Sequence, residues 1–279
     1  MKIVNTKEEI EFELVNARKL GKTVGFIPTM GALHLGHLNL VKRSVEECDF
    51  TVVSIYVNPT QFNKQEDLEK YPRDFKGDAK MLSEVKCDLL FCPTNIVMYP
   101  NGLDVLKIDL DGLDNIMEGE FRPGHFDGVV TIVNRFFEMI KPNKAYFGEK
   151  DFQQLLVVKK VALCISDDIE IVPCEIEREE SGLAMSSRNR RLNEHDKNIA
   201  KKLSAVLYSL KSKIKNTSPE LLEEKSKYEL ESTVGLNLEY LKILNENSLK
   251  LDFKDANPKL RAFVAAEIGG VRLLDNMRL

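Results

Sequence analysis

The stretch PTMGALHLGH, residues 28–37, lies between a strand-forming run and a helix-forming run. Residues 23–29 are rich in β-branched and apolar side chains, and apolar residues recur at helical spacing from residue 37 to about residue 48. The nearly continuous apolar run 50-FTVVSIYV-57 then indicates a strand buried on both faces of a parallel sheet. These patterns predict a strand–helix–strand unit whose first turn is the quoted stretch.

The same alternation continues along the chain to about residue 176. The patterns predict helices at about 6–20, 75–86, 126–140 and 151–165, and strands at 88–92, 145–148 and 169–176. Two long helices and a hairpin signal at Gly269-Gly270 follow as segregated elements. We therefore expect an α/β fold, with a Rossmann-like, doubly wound parallel sheet over residues 1–177 and a smaller α+β domain over residues 178–279.

Composition argues against several classes of function. The chain of 279 residues has a net charge of −4 and no basic arm or stripe, which argues against a nucleic-acid partner. No apolar run approaches the roughly 20 residues that span a bilayer, and the first residues lack the apolar core of a signal peptide. The five cysteines are scattered without CxxC spacing, so we expect buried or half-buried thiols in a cytoplasmic protein.

The quoted stretch has the features of an anion site. Ligands of open α/β sheets bind beyond the carboxyl ends of the strands, and a helix start offers N–H groups and a positive dipole end. Gly31 permits a tight turn, and Gly36 lets a bound group approach the helix closely. Because His34 and His37 are three residues apart, they share one helix face and can donate hydrogen bonds to the same phosphate.

Other roles for the two histidines are open at this point. A metal site would need a third ligand, and the chain has no HExxH motif. It also lacks GxxxxGK[ST] and GxGxxG, so neither a P-loop nor a dinucleotide fingerprint is present. The histidines could equally cap the helix with ordinary hydrogen bonds, and the pair alone does not decide between structure and function.

Further blocks carry a family resemblance from about residue 23 to residue 191. The sequence resembles the pantothenate synthetase family of the HIGH-motif nucleotidyltransferase superfamily in the blocks PTMGALHLGH (28–37), VSIYVNPTQF (53–62), EDLEKYPRD (66–74), RPGHFDGVVTIV (122–133), YFGEKDFQQL (146–155) and GLAMSSRN (182–189). The resemblance implies ATP-dependent joining of (R)-pantoate to β-alanine through a pantoyl-adenylate, with release of AMP and pyrophosphate.

The resemblance also implies roles in ATP binding and catalysis. His34, His37 and Lys150 are the expected catalytic groups, because negative charge builds up on the phosphoryl oxygens and on the departing pyrophosphate. The expected ATP-binding residues are Met30, Gly31, His34, His37, Gly148, Lys150, Asp151, Glu177, Met185, Ser186, Ser187 and Arg188. ATP should bring Mg²⁺ without an assigned protein ligand, and the family implies a homodimer.

Pantoate binding is expected to depend on amides. Gln61 and Gln154 match the pantoate-binding positions of the family, and Gln61 is also placed to meet β-alanine. Asn58 and Arg122 are also expected to bind substrate. An amide can form hydrogen bonds with the hydroxyls and the carboxylate of pantoate. A lysine would instead stabilise the carboxylate in the ground state and lower its nucleophilicity.

The neighbouring polar residues carry further expectations. Phe62 and the polar residues 63–70 should form a lid that excludes water from the reactive intermediate. His125 is expected to form part of the wall of the site beside Arg122, and Gln153 is expected to face solvent. Asp78 is expected on the exposed face of a helix, with at most an outer contact to Mg²⁺, and His195 is expected at the surface.

Two positions depart from the family pattern. Ser181 stands where an aspartate usually precedes GLAxSSRN, and Glu177 occupies a position near the adenine that is commonly apolar. Neither departure removes a group that the chemistry needs.

Two other functions are considered. One is another HIGH-superfamily nucleotidyltransferase that acts on a different small acid or a phosphorylated alcohol, and the paired glutamines and RPGHF argue against it. The other is a non-catalytic nucleotide-binding regulator or scaffold. The joint presence of both histidines, Lys150 and the Ser-Ser-Arg run argues against that role.

Overall fold

The computed structural model describes residues 1–166, 168–250 and 259–279. Contacts divide the chain into two units, Met1–Glu175 and Ile176–Leu279. Each unit buries an apolar core of its own, and the contacts within that core hold the helices and strands of the unit together.

The first unit is built on a parallel sheet. Its strands are β1 (Lys2–Val4), β2 (Val24–Thr29), β3 (Phe50–Ile55), β4 (Leu89–Phe91), β5 (Lys144–Gly148) and β6 (Glu170–Cys174). They lie in the order β1-β4-β3-β2-β5-β6, and every described pair of neighbours is parallel. The expected α/β class with a parallel sheet is confirmed. Only β1 lacks a sequence signal, because three residues are too few to show a period.

Helices connect these strands. They are α1 (Lys7–Lys19), α2 (Leu35–Glu47), α3 (Gln65–Glu69), α4 (Phe75–Glu84), α5 (Asn95–Met98), α6 (Glu118–Phe121), α7 (His125–Ile140) and α8 (Phe152–Ile165), with 3₁₀ turns at Pro59–Gln61 and Glu149–Asp151. The capping box of α1 is present: the Thr6 hydroxyl accepts the Glu9 N–H, and the Glu9 carboxylate accepts the Thr6 N–H. The short helices α3, α5 and α6 have four or five residues each, too few for a helical period to predict them.

Strand β2 lies between β3 and β5 in the middle of the sheet. Thr29 and Ile55 pair at the ends of β2 and β3, and Phe26 of β2 pairs with Ala145 of β5. Because the three strands are parallel, the segments that follow them leave the sheet at the same edge. This carboxyl edge is where open α/β sheets bind their ligands.

Helix α2 packs very closely against β2. A Cβ atom on Gly25 would lie 2.1 Å from Ser44 Oγ, so the approach requires a glycine. Ser44 is fully buried, and its hydroxyl pairs with that of Thr51 on β3 at 2.9 Å. These contacts hold α2, whose first turn carries the two histidines, in place on the sheet.

The second unit combines two helices with an antiparallel sheet. Its elements are a 3₁₀ turn at Ser187–Arg191, α9 (Glu194–Lys213), α10 (Pro219–Glu231), β7 (Leu236–Asn245), β8 (Leu260–Ile268) and β9 (Val271–Arg278), with sheet order β7-β8-β9. The expected hairpin is present, with positive φ at Gly269 and Gly270. The sequence does not predict β7, because a register shift between Leu238 and Tyr240 breaks its alternation of apolar and polar side chains.

Candidate functional site

The histidine turn, residues 28–37, carries the chain from β2 into α2. His34 occupies the N-cap position of α2 with an extended backbone, and His37 lies in the first helical turn. The centroids of the two rings are 4.1 Å apart, and both residues are half-buried. The structure therefore places two imidazoles together at a helix start, where first-turn N–H groups can meet an anion.

Two consecutive residues of the histidine turn have a left-handed backbone. The φ angle is +79° at Gly31 and +51° at Ala32. Glycine adopts this conformation freely, whereas for alanine it costs about 1–2 kcal/mol. The Thr29 hydroxyl supports the turn, since it accepts the Gly31 N–H at 3.2 Å and donates to the Ser54 carbonyl at 2.7 Å. The turn depends on such neighbours to keep its shape.

Asp78 of α4 supports the same turn. Its carboxylate accepts the N–H of Ala32 at 2.8 Å and the N–H of Leu33 at 2.7 Å, and the residue is only 1% exposed. The expectation of an exposed helical aspartate is therefore wrong. Helical patterning assigns an aspartate to the solvent face, and it contains no information about a partner 46 positions away. Both carboxylate oxygens thus accept a backbone N–H of the histidine turn.

Gln61 lies beside the histidine turn. It ends the 3₁₀ turn after β3, and its amide nitrogen is 3.1 Å from the Met30 sulfur. The Asn58 amide donates to the Gln61 side-chain oxygen at 3.1 Å and to the Gly128 carbonyl of α7 at 3.1 Å. The expected substrate residue and the expected ATP-site residue are thus brought together.

Asn58 is itself held by buried hydroxyls. It is 1% exposed, and its side-chain oxygen accepts hydrogen bonds from Tyr99 at 2.5 Å and from Thr60 at 3.0 Å. Burial raises the pKa of Tyr99, so its hydroxyl remains a proton donor at neutral pH. With both ends of its amide engaged, Asn58 orients Gln61. Tyr99 has no sequence signal, because it lies outside every motif block.

Arg122 and His125 form the wall next to Gln61. An Arg122 nitrogen lies 3.1 Å from His125 Nε2, and His125 Nδ1 lies 2.9 Å from the Gln61 carbonyl. Because a guanidinium only donates, Nε2 must accept, and Nδ1 carries the proton that the carbonyl accepts. Glu118 completes the wall at 3.2 Å from Arg122. His125 is therefore held as a neutral structural imidazole.

Gln153 does not face solvent, contrary to expectation. It is 3% exposed, accepts the Glu118 N–H at 3.1 Å, and donates to the carbonyls of Leu113 and Ile116. It thereby ties the loop before α6 to α8. Gln154, the next residue in the first turn of α8, is half-buried.

Lys150 follows β5, the neighbour of β2. Strand β5 ends at Gly148, and a 3₁₀ turn then leads into α8. The Lys150 ammonium is 4.0 Å from the Asp151 carboxylate, and its side chain is 19% exposed. Because β2 and β5 are parallel, Lys150 leaves the sheet at the same edge as the histidine turn. The structure thus places a cation one strand away from the two imidazoles.

Residues 62–75 fold into a compact cap after Gln61. The Phe62 ring packs edge-on against buried Tyr71 with centroids 5.8 Å apart. The Arg73 guanidinium donates to three backbone carbonyls between residues 68 and 71, which closes the end of α3. A cavity of about 460 Å³ lies between this cap, the histidine turn and the end of β3.

The Ser-Ser-Arg loop belongs to the second unit. Ser186 caps the 3₁₀ turn by accepting the Arg188 N–H at 3.2 Å, and Ser187 is buried. Asn189, the last residue of the block GLAMSSRN, donates to the Glu179 carboxylate at 2.7 Å and to a backbone carbonyl of the same loop. The loop is therefore locally well fixed.

Glu177 and Ser181, which depart from the family pattern, each accept a hydrogen bond from a backbone N–H within the same loop. The Glu177 carbonyl accepts the Met185 N–H at 2.9 Å, a main-chain bond that any side chain at this position permits. The Ser181 hydroxyl accepts the Leu183 N–H at 3.4 Å, a turn bond that an aspartate could also make.

The cysteines are free thiols, and four of them are buried or half-buried. Cys164 is exposed, contrary to expectation. Burial raises the pKa of Cys87 to about 12 and that of Cys92 to about 11, so both remain protonated.

The described residues contain neither a cluster of metal ligands nor a membrane span. Among them, no three His, Cys, Asp or Glu side chains are grouped so that they could hold a metal ion. Within the same part of the chain, no helix has the length and apolar character that crossing a membrane requires.

Known proteins resemble this chain over its whole length. The family model described as Pantoate-beta-alanine ligase matches residues 2–278. The pantothenate synthetase of Bacteroides fragilis is 44% identical over 282 residues, covering 100% of this chain and 99% of that protein. The pantothenate synthetase structure from Thermus thermophilus has a TM-score of 0.91 at 38% identity, with 99% of each chain covered. The pantoate-beta-alanine ligase of Francisella tularensis, complexed with beta-gamma ATP and beta-alanine, has a TM-score of 0.82 at 35% identity, with 100% of this chain and 97% of that chain covered.

Proposed function

Because this chain belongs to the pantoate-beta-alanine ligase family, we propose that it activates pantoate at the histidine turn. The chain is a ligase that condenses pantoate with β-alanine at the expense of ATP. The observation that carries the assignment of the site is the pair of half-buried rings, 4.1 Å apart, at the start of α2. A different acid is not favoured, since the family match covers residues 2–278 and not the histidine turn alone.

In the proposed first step, the pantoate carboxylate attacks the α-phosphorus of ATP and pyrophosphate leaves. Negative charge then builds up on the phosphoryl oxygens and on pyrophosphate, so donors that are already in position lower the barrier most. His34, His37 and the first-turn N–H groups of α2 act from one side. Lys150 adds a positive charge from the end of the neighbouring strand. The product of this step is pantoyl-adenylate.

Pantoate is proposed to lie against Gln61 and Gln154. The closeness of Gln61 to Met30 supports this position, because the carboxylate must reach a phosphorus held at the histidine turn. Asn58 and Arg122 are proposed to bind pantoate together with Gln61, which both of them contact. A neutral amide orients the attacking carboxylate and leaves its nucleophilicity intact.

In the proposed second step, the free amine of β-alanine attacks the acyl carbon of the adenylate. A C–N bond forms, the bond from the acyl carbon to the AMP oxygen breaks, AMP leaves, and the nitrogen releases a proton to solvent. Gln61 is proposed to meet β-alanine as well. The cap of residues 62–75 is proposed to keep water away, because water would compete with the amine for the mixed anhydride.

The remaining assignments rest on the family resemblance. Residues proposed to bind ATP in addition to those above are Gly31, Gly148, Asp151, Glu177, Met185, Ser186, Ser187 and Arg188. We propose that Mg²⁺ would accompany ATP and would offset the negative charge of its phosphates, with no protein ligand assigned. We also propose that the chain forms a homodimer and works in the cytoplasm.

Omission of each substrate in turn tests this function. With ATP, Mg²⁺, (R)-pantoate and β-alanine, the purified protein should release AMP and pantothenate in equal amounts. Without pantoate no AMP should form, and without β-alanine pyrophosphate release should stop after one turnover. Equal activity with an unrelated acid would point to another nucleotidyltransferase. Binding of ATP with no AMP formed would point to a regulator.

A further inference from the structure

We propose that Asp78 is a positioning residue for the adenylation step and acts through the backbone of the histidine turn. The inference rests on the proposed function, because it gives a task to the group that supports the proposed ATP site. Asp78 lies on α4, outside every block that carries the family resemblance.

The carboxylate of Asp78 is committed to the turn. One oxygen accepts the Ala32 N–H at 2.8 Å and the other accepts the Leu33 N–H at 2.7 Å. Hydrogen bonds to an ionised group are stronger than neutral ones, and a buried carboxylate is costly without partners. At 1% exposure, Asp78 and the turn therefore stabilise each other.

The turn would not keep its shape through local preferences alone. Ala32 has φ of +51°, a conformation that a residue with a Cβ atom avoids. The turn is also tightly packed at Gly31. A Cβ atom on Gly31 would lie 3.1 Å from Asp78 Oδ2 and 3.1 Å from an Ile55 methyl carbon. The carboxylate thus holds a strained backbone in its left-handed conformation.

His34 follows Leu33 directly, so the backbone that Asp78 holds also sets the position of the imidazole pair. A rotation at Ala32 or Leu33 would move His34 and the start of α2. Misplacement of a catalytic group by 1 Å can cost roughly 100-fold in rate. The loss should fall on adenylation, because those donors act on the phosphates. It should spare the attack of β-alanine on an adenylate that is already formed.

Glu84 provides a matched control on the same helix. It is the last residue of α4 and is exposed, outside the cap and the histidine turn. Glu84→Gln therefore removes one carboxylate charge from α4 and leaves the histidine turn undisturbed. Asp78→Asn keeps one acceptor oxygen but turns an NH₂ group toward a backbone N–H.

Two half-reactions measured on both variants test the inference. For Asp78→Asn, pantoate-dependent exchange of pyrophosphate into ATP should fall roughly 10- to 100-fold, while aminolysis of supplied pantoyl-adenylate should stay within about threefold of the parent. Glu84→Gln should keep both rates. Equal losses in the two half-reactions of Asp78→Asn, or a loss that follows its melting temperature, would show a merely structural role.

A second substitution tests the mechanism even where Asp78→Asn folds poorly. Glycine adopts positive φ unaided, so Ala32→Gly added to Asp78→Asn should restore part of the exchange rate. No recovery in the folded double variant would overturn the inference. His37→Ala separates the two proposals: full activity of that variant would refute the proposed site. An inactive His37→Ala beside an unaffected Asp78→Asn would refute only the role of Asp78.

Discussion

Gln153 and Gln154 are adjacent amides on α8 with different surroundings. Gln153 is buried, and it makes three hydrogen bonds to the chain around residues 113–118. Gln154 is half-buried at the start of the same helix. The same side chain therefore has a structural role at position 153, whereas at position 154 it remains partly accessible. Substitutions at the two positions should have separable effects.

Gln154→Ala should raise the KM for pantoate roughly tenfold or more with a smaller effect on kcat, because it removes a contact made in the ground state as well as in the transition state. Gln153→Ala is the matched control and should lower the melting temperature while the KM for pantoate stays unchanged. Steady-state kinetics and thermal unfolding of both variants check this. An unaltered pantoate KM in Gln154→Ala would remove that residue from the substrate site.

His37→Ala should reduce turnover by roughly two to four orders of magnitude with the fold intact, because it removes a donor aimed at developing negative charge. His195→Ala is the control: His195 is exposed at the start of α9, as expected from the sequence, and its loss should leave turnover unchanged. The measurement is AMP formation, with circular dichroism to establish folding. A well-folded and fully active His37→Ala variant contradicts the assignment.

Among the elements, α7 meets the 3₁₀ turn of Gln61 through Gly128. A Cβ atom at this position would lie 2.5 Å from the Thr60 carbonyl oxygen and 2.7 Å from the Gln61 nitrogen. Both are backbone atoms, which cannot swing aside as a flexible side chain would. The glycine therefore determines how closely the helix approaches the substrate residue.

Gly128→Ala should displace Gln61 and raise the KM values for pantoate and β-alanine roughly tenfold, because a small shift of a positioning group is costly. Glu138→Ala, on an exposed position of the same helix, should leave both values unchanged. Substrate titrations under identical conditions check the pair. If Gly128→Ala has the KM values of the parent, the turn does not depend on this contact.

The end of α2 is tied to β5 by a charged cluster around Glu47. Arg43 at 2.7 Å, Lys144 at 3.0 Å and the Tyr146 hydroxyl at 3.1 Å hold the pKa of Glu47 at about 2 instead of 4.5. The depressed pKa belongs to the folded chain, so the stabilisation is complete above about pH 4.5 and is lost as the pH falls toward 2.

Glu47→Gln should therefore lower the free energy of unfolding at neutral pH, and its difference from the parent should shrink on acidification through that range. Urea unfolding of the variant and the parent, at neutral pH and at about pH 3, measures the difference in their free energies of unfolding. A difference that does not vary with pH would show that the charge of Glu47 is not responsible.

At the scale of the whole molecule, the proposed homodimer has a direct test. Light scattering at micromolar concentration should give a mass near twice the 31.8 kDa of one chain. The mass should not depend on the presence of substrates, because the dimer is proposed for the family and not for one ligand state. A single-chain mass at that concentration would refute the dimer.

The sequence by itself determined the class of fold and the place of the histidine turn. Long apolar runs alternating with helical periods predict the parallel sheet, and the motif blocks predict the family. The strands β1 and β7 escape prediction for local reasons: one is too short to show a period, and the other contains a bulge. Patterns of this kind record which face of an element is apolar, and that information lies within a few neighbouring residues.

Only the tertiary structure decided what the buried polar side chains do. Asp78 and Gln153 look like surface residues along the chain, and Tyr99 carries no signal there, yet each is buried against groups more than 30 positions away. A polar side chain can be buried when its hydrogen bonds are satisfied, and its partners are known only after the elements have packed. Local periodicity cannot supply those partners, because they come from parts of the chain that the fold alone brings together.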